Sequence, residues 1–273
     1  MPLVKVCGLT RAEDVELAWI LGAWAVGFVF APSPRRVTPA TTRALVERAV
    51  AALATGGRRR PERSHVAAGA PAGSAGAGAA TENSIAGIPG RERPYLVGVF
   101  GDVPAGEIAE SVAEAGLDMV QLHGVKGPAG GDVREALREM MDHHRRLPLI
   151  IRAVPVDPSE TNARSLRARV AEMRTGTDAV LLDTRGSDGF GGTGRAFAWS
   201  LARQVDDGLP LLIAGGITPD NVRTALRESG AWGVDVSSGV ERAPGTKDPV
   251  LLRRLFAALP TNNRHIRQEG LDR

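Results

Sequence analysis

The chain has 273 residues, 24% of them charged, and a formal net charge of +3 at pH 7. That length suits one large domain or two small ones, and single α/β barrels run this long. A single cysteine excludes an intramolecular disulfide scaffold, and no apolar run approaches the roughly 18 residues of a membrane span. Met1-Pro2-Leu3-Val4-Lys5-Val6 lacks the basic segment and apolar run of a signal peptide, so a reducing cytoplasm is the expected setting.

The first elements in chain order are an apolar run, Leu3–Cys7, an amphipathic stretch, Ala12–Leu21, a second run, Ala25–Phe30, and a second helix pattern, Ala40–Leu53. Residues 55–94 then break the rhythm. More than half of these 40 residues are Ala, Gly or Pro, and the only large aliphatics are Val66, Ile85 and Ile88. Such a segment cannot bury enough apolar surface to offset its ordering entropy, so it reads as a disordered Ala/Gly-rich insertion between helix 2 and strand 3. It holds six arginines against three glutamates, which is the whole of the net charge. The body is neutral, whereas a nucleic-acid binder would carry a basic face on its folded part.

After the insertion the alternation resumes. Apolar runs at Leu96–Phe100, Met119–Leu122, Leu149–Val154, Ala179–Asp183, Leu209–Ala214 and Trp232–Val236 are separated by helical patterns. Those patterns are Ala105–Ala115, Val133–Met141, Ser165–Met173, Trp199–Gln204, Asp220–Glu228 and Pro249–Leu259, with Thr10 and Thr218 as expected caps. Strands that are apolar throughout are covered on both faces. Eight strand-then-helix units predict a (β/α)₈ TIM barrel over residues 1–260, interrupted at 55–94 and followed by a loose tail, 261–273. A doubly wound open sheet is the structural alternative, but Cys7-Gly8-Leu9-Thr10 lacks the dinucleotide-loop spacing.

In this fold the active site sits at the carboxyl ends of the strands. The polar residues expected there are Lys5, Cys7, Arg35, Arg36, Asp102, Gln121, His123, Arg152, Asp183, Gly215, Gly216, Asp235, Ser237, Ser238 and Gly239. Strand side chains alternate in direction, so Lys5 shares a face with Cys7, Gln121 with His123, and Asp235 with Ser237. Gly215-Gly216 and Ser237-Ser238-Gly239 follow strands 7 and 8, the frequent phosphate position of the fold. Gly191-Gly192-Thr193-Gly194 is either a loop closing over substrate or a flexible connection. Cys7 is either an inert core thiol or, with Lys5 lowering its pKa, a base. Asp183 is a cap or ion-pair partner, or an acid with a raised pKa. Arg35 and Arg36 form a solvated pair or grip a carboxylate, and His123 is a core residue or a substrate contact. The five His and one Cys show no metal-ligand spacing.

Taken together, several stretches resemble the phosphoribosylanthranilate isomerase family. They are Val4-Lys5-Val6-Cys7-Gly8-Leu9-Thr10, Gly27-Phe28-Val29-Phe30 with Ser33-Pro34-Arg35-Arg36-Val37, Val120-Gln121-Leu122-His123-Gly124, Leu181-Leu182-Asp183-Thr184, Gly191-Gly192-Thr193-Gly194, Ala214-Gly215-Gly216-Ile217-Thr218-Pro219-Asp220-Asn221-Val222 and Val234-Asp235-Val236-Ser237-Ser238-Gly239-Val240-Glu241. The resemblance implies a cofactor-free Amadori rearrangement in tryptophan biosynthesis. It implies Cys7 as general base, Asp183 as general acid and Arg36 as the grip on the anthranilate carboxylate. Gln121, His123, Gly192, Gly194 and Asp235 are implied substrate contacts, and Gly215, Gly216, Ser237, Ser238 and Gly239 the phosphate site. A small phosphosugar is then the expected partner of a monomer or homodimer, with no nucleic acid and no membrane. The sequence departs from the family at Trp24, at Ala198 and at Val125-Lys126-Gly127, where acidic residues are common. The alternatives are the related histidine-pathway isomerase, whose substrate calls for a second phosphate site, and a non-catalytic barrel.

Overall fold

A computed structural model describes residues 2–55, 93–124, 130–141, 146–184, 196–205 and 208–260. Residues 56–92 of the insertion expected over 55–94, the loop with Gly192 and Gly194, and the tail 261–273 lie outside the described residues, while Thr55 ends a helix and Arg93 pairs with Asp118.

Eight strands close into one barrel in sequence order: β1 Leu3–Cys7, β2 Ala25–Val29, β3 Tyr95–Phe100, β4 Met119–His123, β5 Leu149–Val156, β6 Ala179–Thr184, β7 Leu211–Ala214 and β8 Gly233–Val236. Every neighbouring pair is parallel, and β8 closes on β1 with Lys5 opposite Asp235. The helices between them are α1 Ala12–Ile20, α2 Pro39–Thr55, α3 Ala105–Ala115, α4 Gly130–Met140, α5 Ala163–Glu172 and α6 Val222–Ser229, with α7 Pro249–Ala258 last.

The two-residue period sorts the strands into two cores. Val97, Met119, Ile151, Leu181 and Leu212 meet inside the barrel. Their sequence neighbours, such as Val26, Val120, Ile150, Val180 and Ile213, face outward and pack with Ile108, Val133, Leu166 and Leu226 of the helices. Both strand faces are therefore apolar, which is why the runs are legible in the sequence.

Three local features differ from the sequence reading. The sixth connection contains a six-residue 3-10 helix, Trp199–Gln204, and no α-helix among the described residues. Thr10 does not cap α1, because its hydroxyl donates to Gly245 O at 2.6 Å instead. Thr218 does not cap α6 either. The Asn221 side chain accepts from Thr218 N and donates to Gly216 O, both at 2.8 Å, so the loop after β7 is tied to itself. After β8 the chain adds a 3-10 turn, Ser238–Val240, and a small hairpin, β9 Glu241–Ala243 with β10 Thr246–Lys247.

Candidate active site

The carboxyl ends of the strands surround an open cavity of about 770 Å³, its mouth included. Cys7, Gln121, His123, Asp183 and Asp235 line it from inward-facing strand positions, and Gly215, Gly216, Ser237, Ser238 and Gly239 from the loops after β7 and β8. Lys5, Asp102 and Arg152 do not; Lys5 is buried beneath the lining residues, and Arg152 sits on the outward face of β5 and donates to Gly124 O at 3.3 Å.

Arg35 lines the cavity, and Arg36 does not. The Arg36 backbone is fixed by a bond to Ser33 O at 3.0 Å and a bridge to Val29, while its side chain is exposed on the rim. Arg35 is engaged in a bidentate pair with Glu241, so Arg36 is the arginine of this loop without a side-chain partner among the described residues.

The floor of the cavity is charged. Lys5 is fully buried and donates to Asp235 Oδ2 at 2.8 Å. Burial is the largest single influence and works against its ammonium, yet Asp235 and Cys7 together outweigh it and hold the Lys5 pKa above its ordinary value. Gly27 stands opposite Cys7 in the β1–β2 register. A Cβ there would come within 2.8 Å of Cys7 Sγ and 3.1 Å of Lys5 Cε, so the missing side chain is what makes room for both.

Burial pushes the Cys7 thiol up, and the Asp235 carboxylate adds to this against the pull of Lys5. The expectation that Lys5 lowers the thiol pKa overall is thus corrected. The lysine does act in that direction, but desolvation wins and its charge is shared with Asp235. Asp183 is pushed up to about 7, first by burial and then by repulsion from Asp235, with Lys5 opposing. Its neighbour His123 approaches with Nδ1 4.0 Å from Asp183 Oδ2. Near neutrality this carboxyl therefore carries a proton for much of the time. Two acceptors facing this region, Gln121 Oε1 and Asp235 Oδ1, are buried with no partner among the described residues. An unpaired buried acceptor costs free energy until something donates to it.

One side of the cavity is backbone. Gly215 and Gly216 have φ of +83° and +70°, a left-handed conformation that side chains resist. A Cβ on Gly215 would run into Thr184, and one on Gly239 into Ile217 O. Ser238 and Gly239 open a 3-10 turn, so their N–H groups have no acceptor within it. These amides form a cradle that an anion could approach closely. Among the described residues no group of three or more His, Cys, Asp or Glu is placed to hold a metal ion.

Glu241 and Lys247 are site-adjacent residues that the sequence reading missed. The available signal was Pro244-Gly245, a turn dipeptide with charges on both arms, directly after strand 8.

Comparisons with known proteins match the chain and its barrel to one family. A family model described as N-(5'phosphoribosyl)anthranilate (PRA) isomerase matches residues 74–258. The N-(5'-phosphoribosyl)anthranilate isomerase of Syntrophus aciditrophicus is 33% identical over 262 residues, covering 95% of this chain and 87% of the relative. That of Nitrosospira multiformis is 35% identical over 249 residues, covering 90% of each. The crystal structure of phosphoribosyl anthranilate isomerase from Thermotoga maritima superposes with a TM-score of 0.65 at 30% identity, covering 94% of this chain and 98% of that one. Another such isomerase, solved with reduced 1-(o-carboxyphenylamino)-1-deoxyribulose 5-phosphate, has a TM-score of 0.63 at 28% identity, covering 94% and 98%.

Proposed function

Because the chain belongs to the N-(5'-phosphoribosyl)anthranilate isomerase family, we propose that it converts N-(5'-phosphoribosyl)anthranilate to 1-(2-carboxyphenylamino)-1-deoxyribulose 5-phosphate, a step of tryptophan biosynthesis. The observation that carries this reading is a carboxyl raised to about 7 sharing one cavity with a buried thiol and an amide cradle.

The reaction needs one acid and one base. Asp183 donates its proton to the ribose ring oxygen, which opens the ring to a Schiff base. Cys7, as thiolate, takes the proton from C2. The resulting enolamine takes a proton at C1 from the Cys7 thiol and gives up its 2-hydroxyl proton, which returns to Asp183, so the 2-ketone forms and both groups are reset. No electrons leave the substrate, so no redox cofactor is proposed. Gly215, Gly216, Ser237, Ser238 and Gly239 hold the 5-phosphate, and Arg36 takes the anthranilate carboxylate. Gln121, His123 and Asp235 receive the sugar, with the orphaned Gln121 Oε1 and Asp235 Oδ1 accepting from its hydroxyls. Gly192 and Gly194 are proposed as further substrate contacts. Anchoring both ends fixes the sugar between acid and base, which is the main rate contribution of remote binding. The chain is proposed to work as a monomer or homodimer in the cytoplasm, on a small phosphosugar, without nucleic acid or membrane.

The active ionisation pairs protonated Asp183 with the Cys7 thiolate. Since Asp183 titrates at about 7 and Cys7 higher, this is a minor form of the free enzyme. kcat/KM should therefore follow a bell whose acidic limb falls at about 7 and whose alkaline limb lies at the raised thiol value. The direct experiment mixes the protein with freshly generated phosphoribosylanthranilate and follows the loss of anthranilate-type fluorescence. Turnover is expected, and Arg36→Met should raise KM far more than it lowers kcat. No loss of fluorescence with folded protein would overturn the reading.

A further inference from the structure

Behind the loop that follows β8, three charged side chains are packed together. Glu241 accepts from Arg35 Nε at 2.9 Å and Nη2 at 2.6 Å, and from Lys247 Nζ at 2.8 Å. The Glu241 and Lys247 side chains are 4% and 0% exposed. Lys247 Nζ makes a second bond, to the carbonyl oxygen of Ser237 at 3.2 Å. Its own backbone N–H is held by Asp14 of α1 at 3.0 Å. The ammonium is thus fixed from its backbone, from its counter-ion and from the loop it serves.

The Ser237 oxygen is held twice, by Lys247 Nζ and by Val240 N–H of the 3-10 turn at 3.3 Å, and the Lys247 bond helps set where the next amide points. In a planar trans peptide the C=O of one residue and the N–H of the next are directed oppositely. Ser237 and Ser238 line the cavity and Lys247 does not. Drawing the Ser237 oxygen back toward Lys247 turns the Ser238 N–H forward into the cavity. The loop after β7 shows the same device in neutral form, with the Asn221 amide holding Gly216 O. In the β8 loop the holding group is a cation, and the one positive charge left over from Arg35, Glu241 and Lys247 is offset in part by the Asp14 carboxylate at the Lys247 backbone N–H. A fixed positive charge at that place favours an anion in the cradle.

We infer that Lys247 is a positioning residue for phosphate capture, orienting the Ser237–Ser238 peptide and placing a charge behind it, with Glu241 and Arg35 as its frame. The inference rests on the phosphate cradle proposed above. A hydrogen bond from a charged group of this kind commands roughly ten- to a hundredfold in an equilibrium.

Inorganic phosphate, tested as a competitive inhibitor, separates the two layers. Wild-type protein should be inhibited, and Gly216→Val should lose that inhibition. If wild type is not inhibited, or Gly216→Val is inhibited equally, the cradle falls and the inference with it. If the cradle stands, Lys247→Met should weaken phosphate and raise substrate KM by about ten- to a hundredfold, with kcat within about fivefold. Lys247→Arg, which keeps a cationic donor, should stay within about threefold of wild type. A space-filling role predicts the reverse order, because Met matches the lysine stem better than a guanidinium does. Equal phosphate inhibition of wild type and Lys247→Met, or an Arg variant weaker than Met, would overturn the role of Lys247. Should Lys247→Met not fold, Lys247→Gln, whose short neutral side chain cannot reach Ser237 O, takes its place with the same expected loss.

Discussion

The two ends of the barrel treat their aspartates in opposite ways. At the amino end, Asp118 and Asp178 sit just before β4 and β6. Asp118 accepts from Arg93 at 2.6 and 3.0 Å and from Leu96 N of β3 at 2.9 Å. Asp178 accepts from Arg134 at 2.7 Å and from Ile150 N of β5 at 2.7 Å. The device is the same twice: a carboxylate ahead of one strand pins the start of the preceding strand and is neutralised by a guanidinium. At the carboxyl end, Asp235 has one oxygen on Lys5 and the other unmatched among the described residues. Asp183 makes no ion pair with a lysine or arginine among the described residues and is raised to about 7. Satisfied carboxylates hold the barrel together, and unsatisfied ones are kept ready to exchange a proton or receive a donor.

The two ends should differ most in their effect on turnover. Cys7→Ala and Asp183→Asn should each lower kcat by about 10²–10⁴-fold with little change in KM, since each removes a proton-transfer group and no anchor. Cys7→Ser should not restore it, because a hydroxyl is a far weaker base. Asp178→Asn should leave kcat of the folded protein near wild type. Steady-state kinetics on the four variants decides the matter, and a wild-type kcat in Cys7→Ala would reduce Cys7 to a core thiol.

Stability against pH is the next test, read by denaturant unfolding of wild type and Asp183→Asn. The folded-state pKa of Asp183 lies above the unfolded value, so the native protein holds a proton that the unfolded chain has released. Its contribution is fully present below about pH 4 and is lost as pH rises through about 7. Wild type should therefore fall relative to Asp183→Asn across that window, by at most about 4 kcal/mol for a shift of this size. Equal pH slopes in the two proteins would contradict the raised carboxyl. A smaller effect is expected at the other end: Asp178→Asn should cost about 1–3 kcal/mol at neutral pH, because Arg134 loses its charged acceptor. The smallest is the deletion of residues 57–90, which should leave Tm and kcat nearly unchanged. That stretch is poor in large aliphatics, and loop length alone costs little. A large loss of Tm in the deletion variant would show that it packs on the barrel.

The barrel was legible because its signal is local. A run such as Ala179-Val180-Leu181-Leu182 reads as a strand covered on both faces, whatever lies elsewhere in the chain, and the polar residue closing it falls at the rim. Cys7, Asp183 and the glycine loops were found in that way. Pairings across the chain were not legible. Arg35 and Glu241 are separated by 206 positions, and Lys5 and Asp235 by 230. No periodicity connects such partners; only closure of β8 on β1 does. The same gap explains the thiol. Sequence shows Lys5 two residues from Cys7, but neither the burial that raises the thiol nor the carboxylate that shares the lysine's charge. Thr10 shows the limit of local rules: a sound capping residue is diverted by a carbonyl of the β8 hairpin that tertiary structure brings to it.

The proposed acid role of Asp183 stands on its rim carboxyl keeping a proton near neutrality. The most direct measurement is a carbon-13 NMR titration of aspartate carboxyl groups, with Asp183→Asn as the assignment control. The resonance lost in the variant should titrate at about 7 in the wild type. A midpoint near 4, the ordinary value for aspartate, would contradict the account.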